Sequence, residues 1–162
     1  MANTYTLISS NTVGSGGVSS ITFSSIPSTY TDLLLKASVR GSSAASLAIA
    51  FNGSATDFTN TFLESDGSAA SSGSNKASGQ FIGVASTATS VFTNLEIYIP
   101  DYLSSKYKTY SSDSAGESNT STAYTDLISG RWSNSSAITS IGISGTTMSE
   151  YSSFYLYGIK NS

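Results

Sequence analysis

Between residues 31 and 40 the chain alternates, with Leu33, Leu35, Ala37 and Val39 set against Asp32, Lys36, Ser38 and Arg40. A period of two sends successive side chains to opposite faces, so the segment predicts a strand with one wet face. Leu34 interrupts the polar set and predicts burial on both faces at that point. Residues 91 to 99 repeat the pattern, Val91, Thr93, Leu95, Ile97 and Ile99 against Phe92, Asn94, Glu96 and Tyr98, until Pro100 removes a ladder donor. Leu47-Ala-Ile-Ala-Phe51 obeys the same rule. The Asn52-Gly53 that follows predicts a hairpin turn, because both residues tolerate positive φ.

Further strands are predicted at 4 to 8, 18 to 23, 79 to 84, 106 to 112, 122 to 132, 138 to 143 and 153 to 159. Ala, Leu, Glu and Lys never cluster at the 3.6-residue spacing of a helix, and Ser, Thr, Tyr and Ile fill the periodic stretches instead. About ten short strands without intervening helices predict an all-β fold, and two packed sheets are expected over one flat ten-strand sheet, which would expose a ladder at both sides. The expected architecture is a jelly-roll-like antiparallel β-sandwich of about 8–10 strands, forming a single domain over residues 1–162. Two stretches, 66 to 78 and 111 to 121, carry little to bury and predict long loops. Gly14-Ser-Gly16-Gly17 predicts a turn; no Lys-Ser/Thr follows it to cradle a phosphate.

Composition adjusts this picture in two ways. The chain of 162 residues holds 38 Ser and 19 Thr, yet its 18 aromatics and many β-branched residues separate it from disordered polar sequence. Charge is sparse: seven Lys and Arg against ten Asp and Glu give a net −3, with no basic stripe for nucleic acid. No apolar run approaches the roughly 20 residues a membrane helix needs. The first residues show neither a basic segment nor a sustained apolar one, so the expectation is a soluble protein made in a cytoplasm, with no membrane contact.

Zero His and zero Cys exclude the Ser-His-Asp and Cys-His constellations. A Ser-Lys pair would need a desolvated lysine, and Lys36, Lys76, Lys106, Lys108 and Lys160 sit in contexts that predict solvation. Asp57, Glu64, Asp66, Asp101, Asp113, Asp126 and the other acidic residues offer carboxylate pairs for glycoside hydrolysis that sequence does not rank. Glu96 faces away from Leu95, Ile97 and Ile99, and a cross-strand pair with Lys or Arg is the simpler expectation. Zinc and iron lose their usual ligands, leaving hard oxygen ligands suited to calcium; the stretches around Asp66 and Asp113 to Glu117 offer some, but neither matches the twelve-residue calcium loop. The expectation is no enzyme, no cofactor and no metal.

The aromatic surplus is the functional lead. Tyr98, Tyr102, Tyr107, Tyr110, Trp132, Tyr155 and Tyr157, together with Tyr124 and Tyr151, are the contact candidates, because Tyr and Trp bury large area and keep a polar tip; about half of them are expected to pack in the core or along sheet edges and the rest to form a contact surface. The sequons at Asn52, Asn119 and Asn134 carry no weight in a chain this rich in Ser and Thr.

Five phrases together resemble a known group: Tyr5-Thr-Leu-Ile-Ser-Ser10, Ser28-Thr-Tyr-Thr-Asp-Leu-Leu-Leu-Lys-Ala-Ser-Val-Arg40, Phe51-Asn-Gly-Ser54, Glu96-Ile-Tyr-Ile-Pro-Asp-Tyr102 and Tyr155-Leu-Tyr-Gly-Ile-Lys160. They are similar to small virion proteins of tailed bacteriophages, particularly those of marine and cyanobacterial hosts. The resemblance implies a virion component with a jelly-roll-like sandwich. Its expected role is a capsid decoration (cement) protein, a homotrimer that binds the major capsid protein or other virion proteins. The alternative it leaves is a receptor- or glycan-binding module of a tail or fibre, taking a host glycan.

Overall fold

The computed structural model describes residues 4–119 and 122–160. Among them are twelve strands: β1 (Tyr5–Thr12), β2 (Val18–Phe23), β3 (Asp32–Val39), β4 (Ala45–Phe51), β5 (Phe58–Ser65), β6 (Ala70–Ser74), β7 (Phe81–Ala85), β8 (Thr93–Ile99), β9 (Lys108–Glu117), β10 (Ala123–Trp132), β11 (Ile141–Met148) and β12 (Ser153–Ile159). Every pairing between them is antiparallel. The larger sheet runs β1-β12-β3-β8-β9-β10-β5-β6 and the smaller β2-β11-β4-β7.

Eight of these strands form a jelly roll. Strands β1, β12, β3 and β8 lie side by side in one sheet and β2, β11, β4 and β7 in the other, so the chain winds between sheets as two nested Greek keys. The other four strands enter as two insertions, β5-β6 between β4 and β7 and β9-β10 between β8 and β11. Both attach beyond β8 and double the width of the larger sheet. The expected jelly-roll sandwich is therefore present, with an added wing.

Alternation builds the core. Leu33, Leu35, Ala37 and Val39 of β3, Leu95, Ile97 and Ile99 of β8, and Phe154 and Leu156 of β12 meet Ile21, Leu47, Ile49, Phe51 and Ile143 of the smaller sheet in one continuous cluster. Under the wing, Phe51, Phe58, Tyr110 and Trp132 interlock, with the Phe51 ring 5.4 Å from Phe58 and 5.5 Å from Trp132. Leu34 points to the outer face and is still buried there, as its break in the pattern predicts.

Three expectations need correction. Asn52 and Gly53 make a tight turn, with φ of 53° and 73° and Ser54 N–H donating to Phe51 O at 2.9 Å. No hairpin follows, because β4 and the next strand, β5, belong to different sheets. The Asn52 side chain instead ties down the segment before β11, accepting from Thr139 N–H at 2.7 Å and donating to Ala137 O at 2.8 Å. Stretch 66 to 78 is no long loop: after a turn it forms β6 and then a tight bend, Lys76–Gly79, pinned by the Asn60 amide to Lys76. In stretch 111 to 121, residues up to Glu117 complete β9, and 120–121 lie outside the described residues.

Candidate functional site

The expected contact residues divide between core and surface. Tyr102, Tyr110 and Trp132 are fully buried, so they contribute no surface. Tyr102 donates its hydroxyl to Pro27 O and Tyr110 donates to Gly79 O at 3.0 Å, which satisfies the two tyrosine tips, while the buried Trp132 Nε1 has no hydrogen-bond acceptor among the described residues. Burial with only a backbone acceptor pushes the Tyr110 hydroxyl well above the usual tyrosine range.

Tyr98, Tyr155 and Tyr157 share the outer face of the larger sheet. Register places Leu7, Tyr157, Leu34 and Tyr98 in one row across β1, β12, β3 and β8, and Tyr155, Lys36 and Glu96 in the next. Tyr155 is 38% exposed and Tyr98 37%, while Leu34 between Tyr157 and Tyr98 is 6% exposed. Tyr5 and Leu7, which the sequence reading passed over, extend this patch to the edge of the sheet and are more than half exposed. Lys36 and Glu96 make the anticipated cross-strand ion pair at 2.7 Å, which holds the lysine above its ordinary pKa. Tyr98 Oη donates to Asp32 Oδ2 at 2.8 Å, and that carboxylate raises the Tyr98 pKa.

On the wing the same face sinks into a trough of about 700 Å³. A row of short side chains, Ser111 of β9, Ser129 of β10 and Thr61 of β5, forms its floor. The neighbouring row, Asp113, Leu127 and Leu63, forms one rim, and Tyr98 with Glu96 closes the end at β8. A further recess of about 400 Å³ shares Ser129 and Thr61 and is bounded by Arg131. Tyr107, the remaining expected aromatic, stands apart from the other tyrosines, with the Arg131 guanidinium 5.8 Å from its ring centroid. Leu63 and Leu127, 59% and 49% exposed, broke the alternation of their strands, and that break was the available signal.

A second cluster lies on the inner side of the wing. Asp126 of β10, opposite Glu64 of β5, accepts from Ser114 Oγ at 2.6 Å and is almost completely buried. Burial is the main reason its carboxyl is held above the usual aspartate range. Lys76 bonds Glu64 and places its ammonium 4.2 Å from the centre of the Phe81 ring. The space they line is about 260 Å³.

The lysine and calcium readings change as well. Lys108 is buried rather than solvated, its ammonium donating to the backbone carbonyls of Ser104 and Lys106, and desolvation lowers its pKa. No hydroxyl is among those partners. Asp66 Oδ1 is occupied by its own turn, accepting from Ser68 N–H at 2.9 Å, Ser68 Oγ at 2.7 Å and Ala69 N–H at 3.1 Å, which brings its pKa down to about 2. Asp113 to Glu117 is strand, and among the described residues no group of three acidic side chains is placed to hold a metal ion. No family model matches the chain, and no curated protein or solved structure matches it.

Proposed function

We propose that the protein is a structural component of a phage virion, a decoration protein that binds the capsid lattice through the outer face of its larger sheet. The observation that carries this reading is the apolar end of that sheet, where Tyr5 and Leu7 of β1 lie beside Tyr155 and Tyr157 of β12, bordered by the Lys36–Glu96 ion pair. Edge strands in isolated proteins are usually blunted by Lys, Pro or inward charge. Strand β1 has none of these across Tyr5–Thr12, and a bulge between Leu7 and Ser9 is its one protection. An edge left this open, beside exposed tyrosine rings, suits a surface that is covered in the assembled state.

The partner is the major capsid protein, and the particle is where the protein resides. A lattice repeats its docking site many times, so modest individual contacts yield a strong layer. A homotrimer multiplies them again. The resemblance to tailed-phage virion proteins points to the same setting, and no cofactor or chemical step enters.

Co-sedimentation with purified capsids that lack the protein tests the reading, with light scattering to give the subunit number. Wild type and the surface control Tyr151→Ser should pellet with capsids, while Leu7→Ser combined with Tyr155→Ser should stay in the supernatant. Equal pelleting of the double variant, or no pelleting of wild type, would overturn it.

A further inference from the structure

We infer that the trough on the wing is a binding site for a neutral, linear oligosaccharide. It is independent of the capsid contact: its floor and its leucine rim belong to the inserted hairpins, and the jelly roll proper supplies only Tyr98 and Glu96 at one end. From Leu127 to Arg131 along β10 is roughly 13 Å, and the spacing from β8 to β5 is roughly 14 Å, enough for a short chain of sugar rings.

The lining selects the occupant. Strands β9, β10 and β5 are paired on both sides, so the floor offers an extended peptide no free main-chain edge to join. Glu96 is neutralised by Lys36, while Asp113 borders the space without an ion-pair partner among the described residues and Arg131 lies only in the adjoining recess, so a polyanion such as nucleic acid or an acidic polysaccharide finds no basic surface and meets the Asp113 carboxylate. A wholly apolar ligand would desolvate Asp113, which has no ion-pair partner among the described residues.

A neutral sugar supplies what each group lacks. Its hydroxyls donate to the Asp113 carboxylate and to the Glu96 oxygen that Lys36 leaves open, accept from Arg131 and exchange bonds with Ser111, Ser129 and Thr61. Its C–H faces cover Leu63, Leu127 and the Tyr98 ring. Tyr98 is set in advance, because its hydroxyl bond to Asp32 on β3 anchors the far end of the ring. A ring already fixed gives up little rotamer freedom on binding.

The test is a glycan array carrying neutral glucose, mannose and N-acetylglucosamine oligomers beside sialylated and uronic-acid glycans, with hits measured by calorimetry. Neutral oligomers should bind wild type. Asp113→Ala and Tyr98→Ala should each weaken binding roughly tenfold, the scale of one lost aromatic or charged contact. Ser129→Tyr, which fills the floor from an exposed strand position, should abolish it, and Leu7→Ser with Tyr155→Ser should leave it unchanged. Absence of neutral-glycan binding, preference for acidic glycans, or binding indifferent to Ser129→Tyr would each overturn the inference. None of these outcomes bears on capsid co-sedimentation, so the two readings fail separately.

Discussion

Gly130 of β10 stands directly opposite Tyr110 of β9, and a Cβ on Gly130 would fall 2.0 Å from the Tyr110 Cζ. The missing side chain is the space the tyrosine ring occupies. Gly130→Ala is therefore expected to destabilise the fold by about 2 kcal/mol, since overpacking a full core costs on that order. Tyr110→Phe keeps the ring and removes the bond to Gly79 O, a loss of roughly 1 kcal/mol. In the background of Tyr110→Ala, Gly130→Ala should cost much less than in wild type, because its clash is gone. Urea denaturation of the four proteins measures the coupling, and additive effects would contradict the packing argument.

That pair also explains what was legible in the sequence. Strands with a clean apolar face, such as β3, β8 and β12, could be read directly, because alternation is local information. Which tyrosines line the core was not local: Tyr110 and Trp132 are accommodated by Gly130 and Phe58 from partner strands. Strand β5 escaped because its inner face mixes Phe58 and Phe62 with Asn60 and Glu64, which find partners in Lys76 only after folding. Strand β6, Ala-Ser-Ser-Gly-Ser, has no apolar signal and is a strand because β5 offers it an edge. The trough depends on both, so its floor was out of reach, whereas alternation alone puts Tyr98, Tyr155 and Tyr157 on the face opposite the buried Ile97, Ile99, Phe154 and Leu156.

Asp126 gives a pH dependence with a definite sign. Its folded pKa is raised above the ordinary value of 3.8, chiefly by burial. The protonated form thus favours folding, and the associated stability is full below that value and lost as pH rises through the folded pKa. Glu64, Lys76, Asp66 and Tyr124 line the same space, Lys76 opposing the shift and Glu64 adding to it. Asp126→Asn retains an acceptor for Ser114 and removes the titration. It should be more stable than wild type at pH 7, with the advantage shrinking toward pH 4. Denaturant midpoints across that range decide the matter, and a constant difference would show that folding does not raise the Asp126 pKa.

The bend Lys76–Gly79 holds two residues in a conformation that L-amino acids avoid. Ala77 lies at φ 49°, ψ 48° and Ser78 at φ 53°, ψ 34°, both left-handed, where Cβ crowds the carbonyl at roughly 1–2 kcal/mol per residue. Glycine removes that strain but adds freedom to the unfolded chain, a cost of about 0.5–1 kcal/mol. Ala77→Gly and Ser78→Gly should therefore each stabilise by roughly 0.5–1 kcal/mol, unlike most glycine substitutions. Gly79 supplies the contrast, since a Cβ there would fall 2.2 Å from Phe58 O at a φ of 85°. Gly79→Ala should displace the bend and with it the Lys76–Glu64 pair, lowering the thermal midpoint while the two glycine variants raise it. If Ala77→Gly and Ser78→Gly both lower the midpoint, the bend is not left-handed in solution.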